Sequence, residues 1–388
     1  MTCRKSNTLR KPAKMLCGAF AAAIMIGAMG TPLWTTEAAA KTRGEWKTEY
    51  VRPGEVPFPE ENPYTTEKVN LGHKLFFDPR LSGSDYISCA TCHNPSFSWG
   101  DGLPTGFGHK MTKLGRRTPT VLNSAWGELM MWDGRFESLE EQALGPMGAE
   151  AEMNQELGGI VEELRAIPGY RTLFNVTFPG EGISIANIAK AIATYERTIV
   201  SGIAPFDRWV AGDETSISTA AKRGFDIFNN KANCVSCHSS WNFTDSGFHD
   251  IGLPDDDIGR GGVVKNMVKM QHAFKTPTLR NVVQRAPYMH DGSLGTLKEV
   301  IDHYSEGFTK RESLSDEMKP LNLNDDEKAD LLAFLLTLEG ADPVVAAPVL
   351  PANDQVPGAW LQRLSPAAGG QAETAECRTA RLHLRRCK

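Results

Sequence analysis

The sequence predicts a mainly α-helical, loop-rich fold built from two copies of one unit, and three observations predict it. Apolar residues recur at steps of three and four at Ile185, Ile188, Ile192, Tyr195 and Ile199, and again at Leu331, Leu332, Phe334, Leu335 and Leu338. The stretches between are rich in Gly and Pro and show little of the period-two alternation of strands. A C-x-x-C-H pattern occurs twice, at Cys89-Ala90-Thr91-Cys92-His93 and Cys234-Val235-Ser236-Cys237-His238, and each copy is followed by the same downstream series.

Residues 1–40 read as a signal peptide. Arg4, Lys5, Arg10, Lys11 and Lys14 form a basic start, Leu16 to Met29 an apolar run too short to cross a bilayer comfortably, and Ala38-Ala39-Ala40 a small-residue cleavage site. Cleavage predicts a periplasmic protein with no stable membrane insertion; the alternative is an uncleaved anchor. Five basic residues leave with Glu37 as the only acid, so the mature chain is more acidic than the formal net charge of −5. That balance argues against nucleic acid and suits basic or patchily charged protein partners.

The remaining length exceeds what one core usually holds, so two domains are expected. The first is placed at 41–200, an interdomain crossing punctuated by Pro205 and Gly212 at 201–218, the second domain at 219–345 and a tail at 346–388. Upstream of the first motif, Leu71-Gly72-His73-Lys74-Leu75-Phe76 is echoed by Arg223-Gly224-Phe225-Asp226-Ile227-Phe228 before the second. Downstream, Thr118-Pro119-Thr120 is followed 14 residues on by Trp132-Asp133-Gly134-Arg135 and then Leu139. Thr276-Pro277-Thr278 is followed at the same spacing by His290-Asp291-Gly292-Ser293 and then Leu297. Asn324 with Glu327 three residues later reads as the capped start of the last helix, and Gly340 as its stop. In the tail, Cys377 and Cys387 either close a small disulfide loop or stay as free thiols.

C-x-x-C-H is the attachment sequence of c-type haem, in which two thiols add across the porphyrin vinyl groups and the histidine becomes an axial iron ligand. With 8 Cys and 9 His in 388 residues, two matches are not accidental. A zinc ribbon would bring its second cysteine pair within about 15–20 residues, whereas Cys92 and Cys234 are 142 apart. A thioredoxin-type C-x-x-C needs no following histidine. Two covalent haems are therefore expected, on Cys89, Cys92 and His93 and on Cys234, Cys237 and His238.

From about residue 64 to 340 the chain resembles the family of bacterial di-haem cytochrome c peroxidases and MauG, the di-haem enzyme of methylamine utilisation. The resemblance rests on both haem motifs, Leu75-Phe76-Phe77-Asp78-Pro79-Arg80-Leu81-Ser82, Thr118-Pro119-Thr120, Trp132-Asp133-Gly134-Arg135, Glu152-Met153-Asn154 and Pro287-Tyr288-Met289-His290-Asp291-Gly292. It implies two cytochrome c-like haem domains related by internal duplication, with an open, peroxide-reacting haem in the first and a six-coordinate, electron-carrying haem in the second. It also implies a tryptophan between them, here Trp132, as electron relay; the alternative is a large core residue at an interface.

Fourteen residues after His290 stands Tyr304, where the classical peroxidases have an axial Met and MauG an axial Tyr; the same offset from Trp132 gives Pro146, which has no ligand atom. The first haem would thus be open and the second closed by Tyr304, unless His303 or a neighbouring Met binds the iron. A phenolate favours ferric or higher iron and a thioether ferrous iron, so Tyr304 points toward MauG. Gln142 and Glu152 match the family's distal catalytic positions. Two residues depart from the MauG pattern. His109 sits where classical peroxidases carry a blocking distal His. Arg117 replaces an Asn that helps hold an interhaem calcium, for which carbonyls around Arg285 and Pro287 would remain.

The resemblance implies an enzyme that uses hydrogen peroxide, or oxygen plus electrons, to oxidise residues of a partner protein. For MauG that partner is the methylamine dehydrogenase precursor, in which tryptophan tryptophylquinone is completed. The alternatives are a peroxidase fed by a small c-type cytochrome or cupredoxin, and a non-enzymatic electron carrier.

Overall fold

A computed structural model describes residues 41–352; the signal peptide expected at 1–40 and the Cys377 and Cys387 pair lie outside the described residues. Small polar side chains start the helices. Thr42 caps α1 (Arg43–Glu49), Thr65 caps α2 (Thr66–Phe76), and the first haem motif forms a single turn, α3 (Cys89–Cys92). Then come α4 (Leu139–Gly148) behind Ser138, α5 (Leu157–Ala166), α6 (Pro168–Thr177) and α7 (Ile185–Arg197) behind Ser184. They are followed by α8 (Pro205–Val210), α9 (Thr219–Asn229) behind Ser218, α10 (Leu297–Asp302) and α11 (Asp325–Leu336). The capping pair expected at Asn324 and Glu327 is present: the Glu327 N–H donates to the Asn324 side chain, and the Asn324 N–H donates to the Glu327 carboxylate. Strand is confined, among the described residues, to an antiparallel pair, β1 (Phe248–His249) with β2 (Phe274–Lys275).

Two apolar clusters organise these helices. Leu71, Leu75, Ile160, Leu164, Phe174, Ile188 and Ile192 belong to one; Phe206, Trp209, Phe225, Phe228, Phe334 and Leu335 belong to the other. The echoed glycines explain why the repeat was visible. A Cβ on Gly72 would overlap the Ala191 carbonyl, and one on Gly224 the Asp330 carbonyl, so α2 crosses α7 and α9 crosses α11 with backbones in direct contact. The two helix pairs are equivalent elements of the two units.

The expected division of the chain differs from the packing in two places. The stretch 201–218 is not a bare crossing. Pro205 opens α8, where its missing N–H costs nothing, and Phe206 and Trp209 are buried in the second cluster. The chain ends also cross over. Tyr50, nominally of the first domain, is fully buried in the second cluster with its hydroxyl donating to Asn229 at 2.7 Å. The Val349 and Pro351 carbonyls of the tail accept from Lys74 and Arg80 of the first half at 2.8 and 3.0 Å.

The halves meet through a reciprocal exchange. The Arg117 N–H donates to the His290 carbonyl at 2.7 Å, and the Lys275 N–H donates to the Trp132 carbonyl at 2.8 Å. Arg117 and Lys275 each precede a Thr-Pro-Thr copy, and Trp132 and His290 are paired by the duplication, so each unit gives the other the same bond. The glycines after them are also reciprocal. Gly134 and Gly292 both have φ of +66°, and a Cβ on Gly134 would strike Phe248 of the second half while one on Gly292 would strike Pro104 of the first. Arg116 adds a bridge, donating to Asp133 at 2.7 Å and to both oxygens of Asp257 at 2.6 and 2.9 Å. No helix among the described residues is long and apolar enough to cross a membrane.

Candidate functional site

Both haem motifs open on one continuous cavity of about 720 Å³, lined by Cys89, Cys92 and His93 from one unit and Cys234, Cys237 and His238 from the other. In each motif the backbone turns back at once, with the His93 N–H donating to the Cys89 carbonyl and the His238 N–H to that of Cys234, both at 2.8 Å. This places the second thiol and the imidazole beside the first thiol.

The residues fit two covalent haems. All four cysteines are free. Burial pushes the Cys89 thiol up, Cys92 to about 11 and Cys234 to about 12, which keeps these sulfurs as neutral S–H groups. The two histidines are prepared alike. His93 Nδ1 donates to the Trp99 carbonyl at 3.2 Å and His238 Nδ1 to the Phe243 carbonyl at 2.9 Å, which leaves Nε2 of each as the lone-pair nitrogen. Burial holds both imidazoles below the ordinary histidine range, hence neutral. Arg117, Arg285 and Lys275 also line the cavity, and none forms an ion pair among the described residues. Burial depresses the pKa of all three, Lys275 to about 8. Cationic walls without acid partners match a ligand that carries its own carboxylates, as a haem does.

Around the first motif, α4 turns Gln142 and Pro146, four residues apart and so on one face, toward the cavity. Glu152 joins them from the loop after α4. Its carboxylate accepts no hydrogen bond among the described residues, and burial lifts its carboxyl above the ordinary range against a weaker pull from Arg135. Around the second motif, Tyr304 reaches the cavity from a wide helical turn, His303–Gly307, which continues α10. Burial, and then the two haem-motif cysteines, raise its phenol. His303 points elsewhere, its Nε2 donating to the Ile251 carbonyl at 2.9 Å. Met289 and Met318 also line the cavity. Trp132 lies between the two groups, with its Nε1 donating to the Arg117 carbonyl at 2.8 Å and its ring edge-on to His290 with centroids 6.5 Å apart.

Two expectations are corrected. His109 is not among the residues lining the cavity, although Gly108 is. Its N–H donates to the Ala151 and Glu152 carbonyls, and Lys110 and Met111 follow it at φ of 54° and 59°. A calcium between the halves does not fit either. The Arg285 carbonyl, one of the oxygens expected to bind it, accepts from Arg117 Nη2 at 2.7 Å, so a guanidinium stands where oxygen ligands would converge.

Sequence reasoning missed Glu196 and His249. Glu196 lines the cavity from α7 with one carboxylate oxygen buried and unpartnered, and burial lifts it to about 8. His249 bonds Asp245 at 2.7 Å, and that partner, with Cys237, raises it to about 10. A glutamate at an otherwise apolar step of a helix was the available signal for the first; the second had none.

Residues 66–215 match the family described as di-haem cytochrome c peroxidase and residues 221–339 that described as cytochrome c. The chain is 50% identical over 343 residues to the methylamine utilization protein MauG of Methylorubrum extorquens, spanning 87% of this chain and 96% of that protein. It is 52% identical over 308 residues to MauG of Methylophilus methylotrophus, spanning 79% and 92%. The cytochrome c551 peroxidase of Pseudomonas aeruginosa is 34% identical over 77% of this chain and 88% of its own. Among solved structures, a MauG-like protein associated with microbial copper homeostasis superposes with a TM-score of 0.69 at 32% identity, covering 75% of this chain and 94% of that one. The chain therefore belongs to the di-haem cytochrome c peroxidase and MauG family, mainly helical oxidoreductases that carry two c-type haems.

Proposed function

We propose that this protein is a periplasmic, MauG-like enzyme that uses hydrogen peroxide, or oxygen plus electrons, to oxidise residues of a partner protein. The partner is the small-subunit precursor of methylamine dehydrogenase, in which tryptophan tryptophylquinone is completed. The observation that supports the reading is the pair at one offset in the two units: a phenol, Tyr304, and a donor-less ring, Pro146, both lining the cavity that the two motifs open on. The higher identity to the two MauG proteins than to the peroxidase supports the same choice.

When bound, the haems supply iron that reacts with peroxide and exchanges single electrons. Cys89, Cys92 and His93 would hold one haem, and Cys234, Cys237, His238 and Tyr304 the other. Pro146 leaves the first face without a competing donor atom. Burial lifts the Glu152 carboxyl above the ordinary carboxylate range, which suits it to carry a proton to the leaving oxygen of peroxide, and the Gln142 amide can orient that oxygen. Trp132 offers an easily oxidised indole between the two sites. A second reading, a peroxidase taking electrons from a small c-type cytochrome or cupredoxin, draws on the Met289 and Met318 thioethers, which also line the cavity.

The test compares two substrates with peroxide. The proposed enzyme oxidises reduced cytochrome c poorly and converts precursor methylamine dehydrogenase to the quinone-bearing form, read by quinone absorbance and mass. Rapid turnover of cytochrome c with an unchanged precursor would reverse the assignment.

A further inference from the structure

The junction between the halves is built around a buried cation supplied by the chain itself. Arg117 is buried. Its guanidinium donates to the Arg285 carbonyl at 2.7 Å and to the Thr118 carbonyl at 3.4 Å, and its Nε is buried without a partner. Its backbone holds both members of the duplicated pair, since its N–H donates to the His290 carbonyl and its carbonyl accepts from the Trp132 indole. One residue thus ties the relay candidate, the second unit's equivalent segment and the loop at Arg285 to a single positive group.

A calcium ion needs six to eight oxygen ligands at about 2.3–2.6 Å. A guanidinium offers five donors and no lone pair, so Arg117 cannot ligate the ion and uses up the Arg285 oxygen. It also repels a dication, as does the neighbouring Arg285 guanidinium, which is buried and donates only to the Thr278 carbonyl at the short end of the hydrogen-bond range. We infer that the Arg117 guanidinium is the resident cation of this junction and takes the place of the interhaem calcium, so that the enzyme keeps its two sites in register without a metal. This is independent of which protein the enzyme oxidises.

The experiment is elemental analysis and low-temperature spin-resonance spectroscopy of the purified di-haem protein, before and after treatment with a calcium chelator. The expected result is no stoichiometric calcium and unchanged signals from both irons. Arg117→Asn, which removes the charge, supplies a side-chain oxygen and frees the Arg285 carbonyl, is expected to take up about one calcium per chain and to become sensitive to chelation. Arg117→Lys, as the variant that keeps the charge should the first fail to fold, is expected to stay calcium-free with the parent's signals. About one tightly held calcium in the parent protein, or a loss of its signals on chelation, would overturn the inference. So would an Arg117→Asn protein that binds no calcium and keeps the parent's signals.

Discussion

Replacing Trp132 by phenylalanine separates electron transfer from packing. The change keeps the Trp132 carbonyl that accepts from Lys275 at 2.8 Å, and keeps an aromatic face toward His290. It removes the Nε1 donor to the Arg117 carbonyl. A hydrogen bond of that kind is worth about 0.5–1.5 kcal/mol net, and leaving a buried acceptor without its partner moves the cost toward about 1–3 kcal/mol. For a chain of this length that is a melting-temperature fall on the order of 1–4 °C, so the variant folds. If Trp132 relays charge, rapid mixing with peroxide should still give a prompt spectral change at the haem held by Cys89 and Cys92, while the haem held by Cys234 and Cys237 should change more slowly or not at all. Melting temperature and haem content are the controls. A folded, di-haem Trp132→Phe protein in which both haems change at the parent's rate would refute the reasoning and leave Trp132 as an interface residue.

Tyr304→Phe removes a hydroxyl that makes no hydrogen bond among the described residues, and the low-spin iron signal alone should change; an unaltered low-spin signal would move the ligand role to Met289 or Met318. Glu196 is held at about 8 by burial, so the folded protein carries a proton that the unfolded chain lacks above the ordinary carboxylate range. Its contribution to stability is fully present below that range and is lost as pH rises toward 8, with a slope of at most about 1.4 kcal/mol per pH unit. Glu196→Gln should flatten melting temperature against pH over this window, and an unchanged profile would count against a buried neutral carboxyl. Gly224→Ala puts a Cβ into the Asp330 carbonyl and should cost about 1–3 kcal/mol or more, measured by denaturant melting; a neutral effect would show that α9 and α11 can part without loss.

Much of the site was legible because its chemistry is written within a few residues. C-x-x-C-H states its function in five positions, since the turn that returns the His93 and His238 N–H groups to the first cysteine is local. The duplication then carried information from one unit to the other: Pro146 and Tyr304 were found by offset alone, and both line the cavity. The cap at Asn324 was equally local. The helix within 201–218 is not legible from sequence because Pro205 marks a helix start as readily as a break, and only the burial of Phe206 and Trp209 distinguishes the two.

The sequence by itself determined the attachment motifs, the two-unit repeat, the helical character and the family, all of which depend on residue types at short or repeated spacings. The tertiary structure decided what depends on direction and on groups distant in the chain. His109 is not among the residues lining the cavity, and its N–H is bonded to the Glu152 carbonyl. Arg117 read as a missing calcium ligand until its guanidinium was found on the Arg285 carbonyl, 168 residues away. The exchange of bonds between Arg117 and His290 and between Lys275 and Trp132 has no signature in periodicity or composition. A main-chain hydrogen bond constrains where the backbone lies and leaves the choice of side chain almost free, so such a junction is visible only once the two halves are folded together.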